Sequence, residues 1–550
     1  MLRLINIAWV EVYMLSNQKA DTVYLNGNIY TLNKDRPEAA ALAVKGQYLI
    51  YVGDNQGAQE FIGQDTKVVD LEGKTVLPGL IEGHMHYSRL GQRLLQLDTF
   101  WKPKEEILAA VQAEARRMPH GRWILGHGWN QEVWPGNEFP TKEELDAAAP
   151  HNPVALTRTC GHAVWVNSKA LELAGINKDT PNPEGGEIFR DEQGNPTGIL
   201  TDTATVLITG KIPPFGEEEQ KQALLRAQSE LFSYGITSAV DAGAGVSDIR
   251  LMKELYQSGD LKIRLYVMVN TGEDAEIYYQ KGPETGLFGN RLAVNCVKFY
   301  ADGSLGARSA WLLSEYSDRP GHFGSPRYTG DILYQLVKEA RQYGFQVATH
   351  AIGDAAIRQC VDVYEKVLNE LPLADHRYRI EHFQIAMRED IQRIAALGVI
   401  PAMQAVFATS DKNMAEKRLG TERIKGAYAW RKVIDAGSII VNSSDAPVEA
   451  VNPYYGLHAA VTRTDLEGNP PGGWYPEEAL TREEALKSFT IWAAYGQFEE
   501  TIKGSLEAGK LADFVVIDRD YMTCPPEEIK DITALMTVVG GETVFTQTTG

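Results

Sequence analysis

Cysteine is scarce in this 550-residue chain, and a surplus of positive charge is absent. Only Cys160, Cys296, Cys360 and Cys524 occur, far apart, with no C-x-x-C pair. That spacing excludes a disulfide framework and a structural zinc finger, and a reducing, cytoplasmic setting is expected. Lys and Arg number 54 against 73 Asp and Glu, a formal net charge of -19. Such acidity argues against a nucleic-acid or anionic-membrane partner, which would call for basic patches. A convincing leader is also missing. The stretch from Met1 to Ser16 is partly apolar, but Glu11 interrupts it, no small-residue cleavage site follows, and it is too short and polar to span a membrane. Residues 1–19 are therefore read as an N-terminal extension, with Met14 an alternative start.

What the chain does have is 44% hydrophobic and 23% charged residues, enough for a sizeable core, and a length that suits one large domain with smaller additions. Residues 20–77 read as short strands broken by Asn26-Gly27, Lys45-Gly46 and Glu72-Gly73 turns. Residues 501–550 carry three further strand runs, the last two joined by a Gly540-Gly541 turn. The two ends are expected to complete one small β-sandwich. Between them, over 78–500, short apolar runs alternate with helical periodicity, the pattern of βα units. Strands are expected at the end of the 76–81 run and near 237–242, 263–269, 293–300, 346–350, 378–383, 399–405 and 439–443. Eight such units predict an α/β fold, a TIM-like (β/α)8 barrel, whose chemistry sits at the C-terminal ends of the strands. About residues 100–215 are too many for one helix, and they read as an inserted subdomain after strand one, placed to cover the barrel mouth.

The chemistry-bearing residues fall at those strand ends. Strand one runs into Gly83-His84-Met-His86, and histidines at i and i+2 on a strand face the same way, within reach of one metal ion. Strand four carries Lys298, strand five His350, strand six His382, and strand eight Asp445. Singly, each has a plain structural role open to it: a hydrogen-bonded core histidine, an Asp445 turn, a Lys298 reaching for solvent. Jointly, five strand ends supplying metal-ligating types argue for a metal centre.

The order H-x-H, Lys, His, His, Asp resembles that of the amidohydrolase superfamily. The stretches Val297-Lys-Phe-Tyr-Ala-Asp-Gly-Ser-Leu-Gly-Ala-Arg308, Thr349-His-Ala-Ile-Gly-Asp-Ala-Ala356 and Arg379-Ile-Glu-His-Phe383 are similar to its YtcJ-type branch (amidohydrolase family 3), which includes the N-substituted formamide deformylases. Gly161-His162-Ala-Val-Trp-Val-Asn167 and Gly504-Ser-Leu-Glu-Ala-Gly-Lys-Leu-Ala-Asp513 match it as well. The resemblance implies that His84, His86 and Asp445 hold one divalent metal, zinc foremost, and that His350 and His382 hold a second. Lys298, carboxylated by carbon dioxide to a carbamate, would bridge two ions about 3.5–4 Å apart. The implied reaction is attack of metal-activated hydroxide on the carbonyl of a small-molecule amide. Asp445 would carry the proton, with His162 near the developing oxyanion. His127, Trp129, Asn130, His162 and Arg308 are the substrate-pocket candidates. Asp302 and Asp354 are read either as groups orienting ligands or as turn residues. Two alternatives stand: a mononuclear deaminase of the same superfamily, and a non-catalytic regulatory paralogue. A homodimer is the expected assembly.

Overall fold

The computed structural model describes residues 18–548. The expected N-terminal extension therefore lies, for residues 1–17, outside the described residues. Eight parallel strands follow one another in chain order: β1 Leu80–Met85, β2 Ile236–Ala244, β3 Arg264–Asn270, β4 Leu292–Tyr300, β5 Gln346–Ala351, β6 Arg379–His382, β7 Ile400–Met403 and β8 Val441–Asn442. Every neighbour from β1 to β8 is joined by a parallel ladder. Between β8 and β1 two backbone bonds just beyond the strands draw the edges together. They run from Asp445 N–H to the His84 carbonyl, 3.0 Å, and from His86 N–H to the Ala446 carbonyl, 2.8 Å. The result is a nearly closed TIM-like barrel.

The strands are apolar on both faces because helices cover them outside and side chains fill them inside; every residue of β1 and of β7 is buried. Helix Asp354–Glu370 shows the outer half of the pattern. It buries Ala356, Ile357, Cys360, Val361, Tyr364 and Val367 at helical spacing. Inside, Val240, Ala242, Tyr266, Met268, Cys296 and Ala348 form one buried cluster. Cys296 and Ala348 sit two residues before Lys298 and His350, so strand alternation puts them on the same inward face, as the floor beneath those two side chains.

Both chain ends contribute to a six-stranded sheet in the order Glu542–Thr546, Ala534–Val539, Phe514–Ile517, Thr75–Pro78, Asn28–Asn33, Arg36–Ala39. A four-stranded sheet of Tyr48–Gly53, Ala41–Lys45, Thr22–Leu25 and Lys67–Asp70 accompanies it. Tyr24, Leu42, Val44 and Leu49 of the smaller sheet share one buried cluster with Ile29, Val76, Phe514 and Val538 of the larger. These sheets are fixed to the barrel by Arg264 at the start of β3, whose Nε and Nη2 donate to Asp513 at 2.6 and 2.9 Å.

Residues 89–226 form a second compact unit, where the sequence marked an insertion at about 100–215. Its sheet runs Gly186–Arg190, Pro196–Asp202, Ala163–Val166, Val154–Arg158, Ile124–Trp129, Leu97–Asp98. Trp129, Trp134 and Trp165 lie together in its core. Among the described residues, no helix is long and apolar enough to cross a membrane.

Candidate metal centre

His84 and His86 project from the end of β1, and Asp445 follows β8. The Nε2 atoms of both histidines lie 3.5 Å from Asp445 Oδ1. One ligand atom from each of the three fits within a 4.8 Å span. His382 faces His84 with ring centroids 4.9 Å apart, and His350 faces His382 at 4.5 Å. Lys298 Nζ comes within 3.4 Å of His84 Nε2. All six sequence-derived ligand candidates thus meet at one end of the barrel.

The imidazoles are held in the form a metal needs. Burial, with Lys298 as the next contributor, pushes His350 down to about 3 and His84 well below the usual histidine range. His382 is likewise lowered by burial and by His350. Neutral rings keep a lone pair, and hydrogen bonds to acceptor oxygens fix which nitrogen has it. His84 Nδ1 donates to Glu381, leaving Nε2. His382 Nδ1 donates to the amide oxygen of Gln404 at 2.9 Å, leaving Nε2. His350 Nε2 donates to the Gly303 carbonyl at 3.3 Å, leaving Nδ1. Three rings, each with one nitrogen engaged by oxygen and the other left over, suit a cation, and the donor set of imidazole and carboxylate matches zinc and its divalent neighbours.

Two local backbone features make the convergence possible. Strand alternation would send Glu381 and His382 to opposite faces, yet both serve the centre, because His382 and Phe383 leave the strand at φ values of 72° and 43°. Asp445 also sits in the left-handed region, at φ 58°. Side chains other than glycine are strained there by about 1–3 kcal/mol, and such positions gather at functional sites.

Sequence reasoning missed a set of supporting groups. Glu381 accepts from Arg379 Nε at 2.7 Å as well as from His84. Glu82, buried two residues before His84 on the same face, accepts from Ser444 N–H at 2.9 Å and from Ser444 Oγ at 3.0 Å. Burial pushes its carboxyl up to about 8, against the Ser444 hydrogen bonds, so it holds its proton at neutral pH. The i, i+2 spacing of Glu82 to His84 and of Arg379 to Glu381 was readable as shared faces; Gln404 left no such trace. Of the residues read as orienting groups or turn formers, Asp302 accepts from the N–H groups of Trp311, Ile352 and Gly353 and lies 3.5 Å from His350 Nε2. It therefore ties the β4 and β5 ends together. Asp354 accepts from Leu313 N–H at 2.9 Å. Exchanging Glu381 for glutamine is expected to weaken metal affinity by about 10–100-fold, since His84 loses its anionic acceptor. Competition against a chromophoric chelator measures it, and unchanged affinity would remove Glu381 from the centre.

The substrate-pocket candidates are placed less uniformly. The Trp129 indole is fully buried and donates to the Leu156 carbonyl at 2.7 Å, packed in the core of residues 89–226. Asn130 is occupied as a cap, its amide oxygen accepting from Glu132 N–H and from Arg158. Arg308 is engaged in a fork with Asp318 at 3.1 and 2.9 Å. His127 packs on Phe100, and burial pushes it down to about 4. His162 is exposed, its Nδ1 3.2 Å from Asp202.

A nearly closed parallel barrel that gathers three lone-pair imidazoles, two further metal-ligating types and a buried lysine at its C-terminal rim has a donor set suited to a divalent cation. Residues 67–545 match the amidohydrolase family. The chain is 31% identical over 534 residues to the putative amidohydrolase YtcJ of Bacillus subtilis (strain 168), covering 95% of this chain and 99% of that protein. It is 29% identical over 542 residues to the N-substituted formamide deformylase of Arthrobacter pascens, covering 95% and 98%. An uncharacterized metal-dependent hydrolase from Pyrococcus horikoshii OT3, 29% identical, superposes with a TM-score of 0.75 over 92% of this chain and 99% of that one. The chain belongs to the amidohydrolase family.

Proposed function

We propose that this protein is a metal-dependent hydrolase that cleaves the C–N bond of a small-molecule amide, of the N-substituted formamide type. The observation that carries the reading is the placement of His84 Nε2 and His86 Nε2 at equal distance from Asp445 Oδ1, 3.5 Å, with the His84 tautomer fixed by Glu381. These three would hold one divalent cation, zinc first among candidates, and His350 with His382 a second. A bound divalent cation supplies Lewis acidity toward the carbonyl oxygen and makes water acidic enough to react near neutral pH.

The chain's own groups do the rest. Asp445 accepts the proton of the attacking water and returns it to the leaving nitrogen, so the amine departs neutral. Lys298 is buried, and burial lowers its pKa toward the neutral amine, against the pull of Glu381 and Asp445. A neutral amine adds carbon dioxide at its nitrogen and releases one proton, giving a carbamate. That exchange turns a donor pointing at the His84 lone pair into a two-oxygen anion, which suits a bridging position between two cations. The two terminal sheets, sharing one core, are read as a β-sandwich that steadies the barrel.

The mononuclear deaminase reading keeps one observation in its favour: among the described residues, a single three-ligand group, His84, His86 and Asp445, lies within mutual reach. A panel of N-substituted formamides and N-acyl amines, assayed with and without chelator alongside metal analysis, separates the cases. Hydrolysis abolished by chelator with near two ions per chain supports the proposal. One ion with deamination in its place favours the alternative, and no bound metal overturns both.

A further inference from the structure

Beside the metal-ligand candidates, β2, β3 and the end of β4 present a different chemistry. Tyr300 ends β4 two residues after Lys298, so it projects to the same inner face, with Lys298 Nζ 5.3 Å from its ring centroid. The guanidinium of Arg327 lies 5.7 Å from the same centroid. Arg327 is held there by its own backbone, whose N–H donates to the Ala301 carbonyl at 2.7 Å, one residue past β4. Asn270 ends β3 and pairs in register with Lys298.

The notch between these groups exists because β2 carries glycine. Gly243 sits at φ 124°, and a Cβ built there would lie 2.8 Å from the Asn270 amide oxygen and 3.2 Å from the Tyr300 hydroxyl. Two polar side chains therefore converge on space that any other residue at 243 would fill. Of the acidic groups near Arg327, Asp302 is spent on three backbone N–H groups. The guanidinium thus stands exposed, as a cation at the rim of a site in a chain whose formal net charge is -19.

We propose that Arg327, with Tyr300 and Asn270, forms a carboxylate-binding subsite, and that the substrates are N-acyl compounds whose amine portion bears a carboxylate, as in N-formyl or N-acyl amino acids. The proposal rests on the amide-hydrolase reading above and narrows it. A guanidinium recognises a carboxylate through two parallel charge-assisted hydrogen bonds, a geometry an ammonium cannot reproduce. The Tyr300 ring, with Lys298 Nζ 5.3 Å and the Arg327 guanidinium 5.7 Å from its centroid, links the subsite to the metal-ligand candidates, and the Asn270 amide offers hydrogen bonds beside it.

The test pairs N-formylphenylalanine with N-formylphenethylamine, which differ only by the carboxylate. For the wild-type metal-loaded protein, kcat/KM is expected to favour the carboxylated member by about 10–150-fold, the scale of a hydrogen bond to a charged group. In Arg327→Ala this ratio is expected to collapse toward one, and in Arg327→Lys to recover only in part. A wild-type preference for the neutral member, or a ratio unchanged in Arg327→Ala, overturns the subsite while leaving amide hydrolysis standing. If neither compound is turned over, the amide-hydrolase reading fails separately. Calorimetric binding of the same two compounds to wild type and Arg327→Ala then decides the subsite: no tighter binding of the carboxylate by wild type overturns it.

Discussion

Replacing Asp445 with asparagine is expected to lower kcat by about 10²–10⁴-fold, the usual worth of a positioned proton carrier. The substitution is nearly isosteric, and the backbone bond from residue 445 to the His84 carbonyl, 3.0 Å, survives it. What disappears is the negative charge that faces both β1 histidines at 3.5 Å and that, in the proposed reaction, would receive a proton from water. Turnover of the best N-acyl amine in the panel is the readout, and elemental analysis of the same sample separates lost chemistry from lost metal. A variant that keeps its metal and stays within tenfold of wild type would show that the proton travels by another group.

The second large effect lies far from the chemistry. Asp513→Ala is expected to destabilise the fold by about 3–5 kcal/mol, because it leaves a buried guanidinium without its counter-charge. Arg264 and Asp513 expose only 2% and 4% of their side chains, and Asp513 also accepts from Gly540 N–H at 2.7 Å. Denaturant midpoints measure the loss, provided the slope is unchanged. Adding Arg264→Met to Asp513→Ala is expected to restore part of the stability, since the stranded charge is gone. A single-variant loss under about 1 kcal/mol would mean that water reaches the guanidinium and that the pair is not what fixes the terminal sheets.

Much of this molecule can be read from one sequence, and the reasons are local. The βα alternation located seven of the eight barrel strands closely, because parallel strands covered on both faces are continuous apolar runs with sharp ends. The eighth, anticipated over 439–443, shrinks to Val441–Asn442, since the chain turns early toward β1. The ligand candidates were legible because a barrel places strand ends together, so position along each run was enough. Glu381 and Glu82 were not recognised, although their spacing was visible, because a carboxylate beside a ligand histidine acts through a hydrogen bond formed only after distant strands meet. Trp129 was ambiguous for the opposite reason: an aromatic next to a histidine in a Gly-rich stretch looks the same in sequence whether it lines a pocket or fills a core. The left-handed backbone at His382, Phe383 and Asp445 belongs to the assembled rim; Asp and His adopt it more readily than most types, but that preference is too weak to mark these positions in advance.

The seam between β8 and β1 has a consequence for how the protein and its metal depend on each other. No ladder joins these two strands among the described residues; the edges meet through Asp445, His86 and the Glu82–Ser444 clasp. The candidate ligands His84 and His86 stand on one lip of that seam and Asp445 on the other. A cation held by all three would therefore act as a rivet, binding the closed barrel and not the sprung one. By mass action its contribution to closure grows as RT ln(1 + [M]/Kd), about 2.7 kcal/mol at a hundredfold excess over Kd. Occupancy and architecture are then one equilibrium: scarcity of metal would be felt first as a barrel that breathes along a single line.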